Sequence, residues 1–241
     1  MIAAAKNPVV EKLFARINRA MVRRHFHALH LSGEPASLDR AVPIIIYGNH
    51  SCWWDGLIEF LLSRDIFGFD AYLMMDEEQM SRYRFFRWIG AFSVNRSSRR
   101  EAVASLRYAA DLFSRPGRAL WIYPQGVMLP NDVRPLKFET GIARLLEMVP
   151  RAQVVAVAHR YEFLHHQRPE AFIKFGPVRM VGRLPRGRDL LPELEQELTN
   201  LLDGLKGEIV TGDLSAYRTI LSGRSSTNET WDRVRMLPRG R

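Results

Sequence analysis

The turn Gly48-Asn49-His50-Ser51-Cys52-Trp53-Trp54-Asp55 places an imidazole, a thiol and a carboxylate close together in the chain. His50 and Asp55 are five apart, which on a regular helix would set them roughly 140° from each other. Pairing therefore requires the chain to bend between them, and a strand-to-helix turn supplies that bend. If Asp55 accepts from one imidazole nitrogen, it fixes the tautomer and leaves the other free to take a proton from a hydroxyl. Cys52 lies two residues from His50 and is the competing nucleophile, a cysteine-histidine arrangement suited to thioesters. A lone His and Asp at this spacing is more often a satisfied structural pair, so the case rests on what accompanies it.

The accompanying elements follow from hydrophobic patterning. Val42 to Tyr47 is a short apolar run bounded by Pro43 and Gly48 and predicts a buried strand entering the turn. Trp53 to Leu62 predicts a helix leaving it. Further strands are expected at Ala71 to Met75, Ala119 to Tyr123, Val154 to Ala158 and Ala171 to Phe175. Helices are expected over 101–115, over the stretch carrying Ile142, Leu145, Leu146 and Val149, and over Leu190 to Leu205. Strands alternating with helices imply an α/β fold with a mostly parallel central sheet flanked by helices, its loops carrying the chemistry.

Two further polar stretches fall after predicted strands or aromatic segments. Gly90-Ala-Phe-Ser-Val-Asn-Arg96 closes a segment, Ser81 to Arg100, with six arginines and no acid. Tyr123-Pro124-Gln125-Gly126 closes a strand and opens a loop over 124–136 rich in Pro, Gly, Asn and Asp. Taken in order, these motifs resemble the glycerolipid acyltransferase family, with Asn49-His50 and Asp55 matching its Asn-His-x4-Asp motif. Gly90 to Arg96 is similar to the second motif, Tyr123 to Gly126 to the third, normally Phe-Pro-Glu-Gly, and Val154 to Ala158 to the apolar fourth. The resemblance runs from about Pro43 to Pro177.

That resemblance implies transfer of a fatty acyl group from acyl-CoA or acyl-carrier protein, as a consumed donor, to a lipid hydroxyl such as that of lysophosphatidate. It implies His50 as general base and Asp55 as its orienting partner. Asn49, Arg96, Tyr123, Gln125 and Gly126 would be substrate-binding, with Arg134 and Lys137 of the following loop as further anion ligands. The chain departs from the pattern at Gln125, where the motif has glutamate, and at Met128, where many members carry arginine. An unphosphorylated acceptor, such as a glycolipid or carotenoid glycoside, therefore stays open, as does a lipid-binding protein on the same fold without turnover.

Composition bounds the remaining classes. The 241 residues carry 35 Lys and Arg against 26 Asp and Glu, a net charge of +9 that suits nucleic acid, phosphorylated substrates or an anionic bilayer. No nucleic-acid module accompanies the arginine-aromatic segment, so nucleic acid is not the expected partner. His25, His27, His30, His165 and His166 match no zinc spacing, and no Walker or dinucleotide fingerprint is present; neither a metal nor a cofactor is implied. The single cysteine points to a reducing, cytoplasmic location. The start has no secretory pattern and no run reaches the roughly 20 residues of a membrane span.

Val9, Val10, Leu13, Phe14, Ile17 and Met21 recur at helical spacing among Lys12, Arg16, Arg19, Arg23 and Arg24. Periodicity reports an apolar face without saying what covers it, so this helix packs either on the domain or on a membrane surface. The expected organisation is a basic amphipathic arm over 1–32, ended by Gly33-Glu-Pro35, then a catalytic domain over 33–221 and a loosely docked tail over 222–241. Peripheral association with the membrane follows from the arm.

Overall fold

The structure, a computed structural model, describes residues 1–33, 38–182 and 186–224, together with Thr227, Trp231 and Arg235. Its centre is strand β2 (Ile44–Gly48), buried throughout. A strand covered on both faces reads as a continuous apolar run, which is what Ile44 to Tyr47 shows. Parallel neighbours flank it, β5 (Arg118–Ile122) on one side and β6 (Arg151–Glu162) on the other. Beyond β5 the parallel series continues through β3 (Asp70–Asp76) to β4 (Ala91–Val94).

On the other side β6 turns back into antiparallel β7 (Glu170–Phe175), which pairs in parallel with β1 (Ala28–Ser32). The edge is β9 (Arg218–Ser222), antiparallel to β1, and β8 (Arg179–Gly182) pairs with the first half of β6. The order is β4-β3-β5-β2-β6-β7-β1-β9. This is the expected α/β architecture with a mostly parallel sheet.

Alternation along β2 feeds two cores. Ile45 and Tyr47 face α4 (Arg99–Leu112), α5 (Gly141–Met148) and α6 (Leu191–Thr211), where Leu194, Leu198, Leu202 and Leu205 form the buried stripe. Ile44 and Ile46 face α1 (Pro8–His25) and α2 (Trp54–Leu61) with Val22, Phe26, Ile58 and Leu61. The short helix α3 (Glu77–Arg82) and a 3-10 turn over Arg84–Ile89 connect β3 to β4. A π-helical turn, Leu62–Phe67, prolongs α2 toward β3.

The N-terminal helix is capped by the Asn7 side chain, which accepts from the Val9 and Val10 N–H groups, and Pro8 sits where its missing N–H costs nothing. Its apolar stripe divides between two environments. Val10, Phe14 and Met21 are partly buried, and Phe14 packs edge-on to Phe60 at 5.1 Å. Val9, Leu13 and Ile17 stand 76%, 57% and 54% exposed. Asn18, buried beneath, donates to the Leu57 carbonyl at 2.8 Å and ties α1 to α2.

The helix ends at His25 rather than near Gly33, and Ala28–Ser32 already belongs to the sheet, so the covalent stretch 1–32 is helix plus strand. Residues 34–37 of the expected helix break, and most of the expected tail, lie outside the described residues. Strands β1, β4, β8 and β9 carried no signal read from the sequence. Each is four or five residues long, and β8 and β9 each bury a single side chain, Val181 and Leu221.

Candidate active site

The three motifs meet because each follows the carboxyl end of a parallel strand. Asn49 to Asp55 follows β2, Tyr123 to Gly126 follows β5 and Asn95-Arg96 follows β4. Open parallel sheets gather ligands at that edge. The chain leaves β2 at Gly48 and enters α2 at Trp54, and the turn between them brings His50 back over Asp55 in the first turn of the helix.

His50 Nδ1 lies 2.8 Å from Asp55 Oδ2. The same oxygen accepts the backbone N–H groups of Ser51 at 2.7 Å and Cys52 at 3.0 Å. The other oxygen accepts the Tyr161 hydroxyl at 2.6 Å. Burial opposes ionisation of Asp55, but the hydrogen bonds from His50, the Cys52 backbone and Tyr161 hold its carboxyl below the usual carboxylate range. An ionised carboxylate only accepts, so Nδ1 carries the proton and Nε2 is the nitrogen available as a base.

The surrounding residues fix this pair. Asn49 bridges to β6: its Oδ1 accepts the His159 N–H at 2.8 Å and its Nδ2 donates to the His159 carbonyl at 3.0 Å and to Asn131 at 2.7 Å. Gln125 is buried, and its Oε1 accepts the His50 backbone N–H at 3.0 Å. Tyr123 lies flat against the His50 ring, with centroids 4.2 Å apart and 6° between planes, and its hydroxyl donates to Glu59 Oε2 at 2.7 Å. Gly126 has φ +68, and a Cβ there would meet Arg96 Nη1 at 2.5 Å, so the guanidinium lies over this turn.

Cys52 is not arranged as a nucleophile. Burial and the Asp55 carboxylate push its thiol up to about 11, and its sulfur sits 3.6 Å from Asp55 Oδ1 rather than beside a base nitrogen.

A cleft of about 940 Å³ opens at His50. One part of its lining is apolar, with Phe14, Leu57, Phe60, Leu73, Phe86 and Ile89; another carries Arg96, Arg99, Arg144 and Arg188. These four arginines make no ion pair with a described carboxylate. An adjoining pocket of about 420 Å³ is lined by Arg96, Gln125, Arg134 and Lys137. Arg134 is engaged there with Asp203 at 2.5 Å and with the Asn131 and Val133 carbonyls, whereas the Lys137 side chain is exposed.

The structure thus assembles His50, Asp55, Asn49, Tyr123, Gln125, Gly126 and Arg96 at one edge and sets Arg134 and Lys137 one pocket away. Sequence reading missed Tyr161, His159, Asn131 and Glu59. The signal for Glu59 was available: Asp55, Glu59 and Ser63 are four apart in an otherwise apolar stretch. His25 packs on Trp54 and His27 on His166, away from the dyad.

An α/β sheet with a His-Asp turn at its carboxyl edge, opening on a large and partly apolar cleft, defines an enzyme site able to activate a hydroxyl beside a lipid-sized ligand. The family model described as Acyltransferase matches residues 31–160, more than half of the chain. The chain belongs to that family and is an acyltransferase. Among solved structures it is similar to the 1-acyl-sn-glycerophosphate (LPA) acyltransferase PlsC from Thermotoga maritima. The likeness covers 82% of this chain and 78% of that one at a TM-score of 0.57 and 15% identity, and it establishes the shared fold. The Legionella pneumophila ATPase DotB aligns at a TM-score of only 0.29, with 9% identity over 72% of this chain and 58% of that one, and carries no argument. No curated protein matches.

Proposed function

We propose that the enzyme transfers a fatty acyl group from acyl-CoA or acyl-carrier protein to the free hydroxyl of a lysophosphatidate-like lipid. The observation that carries this reading is the His50-Asp55 pair at the wall of a cleft lined in part by apolar side chains and in part by arginines that make no ion pair among the described residues. The apolar lining suits an acyl chain and the arginines suit a phosphate.

His50 Nε2 takes the proton of the acceptor hydroxyl as its oxygen attacks the thioester carbonyl. The tetrahedral intermediate collapses, the C–S bond breaks, and the departing sulfur takes that proton from the imidazolium. Asp55 holds the ring and stabilises its protonated form, and no covalent enzyme intermediate forms.

Gln125 supports the phosphorylated acceptor over an uncharged one. Its side chain is turned onto the His50 backbone, an accepting role that amide and carboxylate fill equally, and the amide adds no negative charge near an anion. The outward apolar residues of α1, with Phe85 at 38% and Trp88 at 45% exposure beside them, support docking on an anionic bilayer among Lys12, Arg16, Arg82 and Arg84. No helix of the described residues is long and apolar enough to cross a membrane.

The test is transfer from labelled acyl-CoA, and in parallel from acyl-carrier protein, to hydroxyl lipids in anionic vesicles, comparing wild type with His50→Ala. Product from lysophosphatidate that vanishes in the variant is the expected result. Product only from glycosylated lipids would replace the acceptor, and lipid binding without any product would favour a protein that has lost turnover.

A further inference from the structure

One face of α2 and its π-helical continuation carries three buried polar side chains a turn apart: Asp55, Glu59 and Ser63. Each receives a donor from an aromatic side chain on a strand or just past its end. Tyr161 donates to Asp55 at 2.6 Å, Tyr123 to Glu59 at 2.7 Å and the Trp121 indole N–H to Ser63 at 2.7 Å. The outer rungs are accounted for, since Asp55 orients His50 and Ser63 satisfies an indole that would otherwise be buried unpaired.

The middle rung is costly, and the proton transfer outlined above makes no use of it. Glu59 is 1% exposed, its Oε1 has no hydrogen-bond partner among the described residues, and His159 Nε2 is 3.8 Å from it, beyond hydrogen-bond reach. What the carboxyl does hold is the hydroxyl of Tyr123, whose ring covers one face of His50. Asp55 constrains the imidazole along its edge, and Tyr123, stacked on one face, constrains the tilt of its plane.

We propose that Glu59 and Tyr123 are positioning residues for His50: the carboxyl anchors the tyrosine hydroxyl to α2, and the tyrosine ring sets the plane in which Nε2 meets the acceptor. This rests on the reading of His50 as the base. The titratable groups around His50 are Cys52, Asp55 and Glu59 from the turn and α2, Tyr123 after β5, and His159 and Tyr161 from β6. Burial keeps Glu59 protonated and His159 neutral, which leaves Asp55 as the anion facing the imidazole.

The experiment is steady-state transfer with wild type, Tyr123→Phe, Tyr123→Leu, Glu59→Leu, Glu59→Gln and the Tyr123→Phe/Glu59→Leu double variant, with thermal melting as the folding control. Tyr123→Leu should lower kcat about a hundredfold at unchanged KM, the scale of a misplaced reacting group. Tyr123→Phe and Glu59→Leu should each lower kcat roughly tenfold, the size of one net hydrogen bond. The double variant should be no worse than either alone, because both break the same contact. Glu59→Gln, whose amide oxygen still accepts from the tyrosine, should restore most of the loss.

A Tyr123→Leu defect confined to KM would make Tyr123 a substrate contact instead and overturn the proposal, as would fully additive losses in the double variant. If Glu59→Leu does not fold, Tyr123→Phe and Glu59→Gln still decide: wild-type kcat in Tyr123→Phe would refute it. Transfer that survives His50→Ala would instead sink the base reading itself, a separable result.

Discussion

Glu59 makes a thermodynamic prediction that needs no substrate. A carboxyl so deeply buried is driven toward its protonated form first by desolvation, with Asp55 adding to the effect against the opposing Tyr123 hydrogen bond. The alternative, a glutamate ionised against a charged His159, would set two unsolvated ions 3.8 Å apart without a hydrogen bond between them. Burial lowers the basicity of His159 and so disfavours that pair from its other side. The folded state therefore keeps the Glu59 proton above about pH 4.3, where the unfolded chain loses it. There the unfolded state binds fewer protons, so Glu59 makes stability fall as pH rises, by up to about 1.4 kcal/mol per pH unit. The loss begins at the unfolded value and stops once the folded carboxyl ionises. Glu59→Gln keeps an acceptor for Tyr123 and has no proton to lose. Urea unfolding of both proteins from pH 4 to 9 isolates the effect, because the other titrating groups largely cancel in the difference. The variant should gain on wild type steadily with pH from about 5 upward. A difference that stays flat across the range, or a wild type that gains on the variant, would refute a protonated Glu59.

Asp55→Asn should remove the negative charge that holds the His50 tautomer and stabilises its protonated form, lowering transfer by about 10³–10⁴-fold while the melting curve stays cooperative. Cys52→Ala should keep most of its transfer activity; near-complete loss would restore the thiol as a nucleophile. Leu13→Glu with Ile17→Glu should reduce sedimentation with anionic vesicles while leaving the fold intact, since both side chains are more than half exposed; undiminished sedimentation would move the membrane contact elsewhere. Asn18→Ala removes the bond between α1 and the Leu57 carbonyl and should cost about 1–3 kcal/mol in chemical denaturation.

What the sequence disclosed was whatever its neighbours along the chain determine. The strand-turn-helix around His50 was readable because an apolar run, a glycine and a carboxylate at the start of a helical stretch follow one another within a dozen residues, and β3, β5, β6 and β7 were readable as apolar runs. The residues that complete the site were not, because their partners arrive from other strands. Tyr161 reaches Asp55 across 106 positions, and Asn49 reaches His159 across 110. Gln125 stood out in the sequence as a departure from the motif; in the fold its amide accepts from the His50 backbone, as a carboxylate would. Arg134 reads as a loop cation free for a ligand, yet α6 supplies Asp203 to hold it. Glu59 lies between these cases. Its spacing from Asp55 placed it on the same face of α2 from the outset, but a charged residue on a helix is usually solvated. Only the position of β5 shows that this face points inward and that Tyr123 waits there with a hydroxyl. Chemistry at the carboxyl edge of a parallel sheet is thus written twice: once as short local motifs, which patterning exposes, and once as single polar residues on the inner faces of helices, where an unexplained acid in an apolar stripe is the sign to follow.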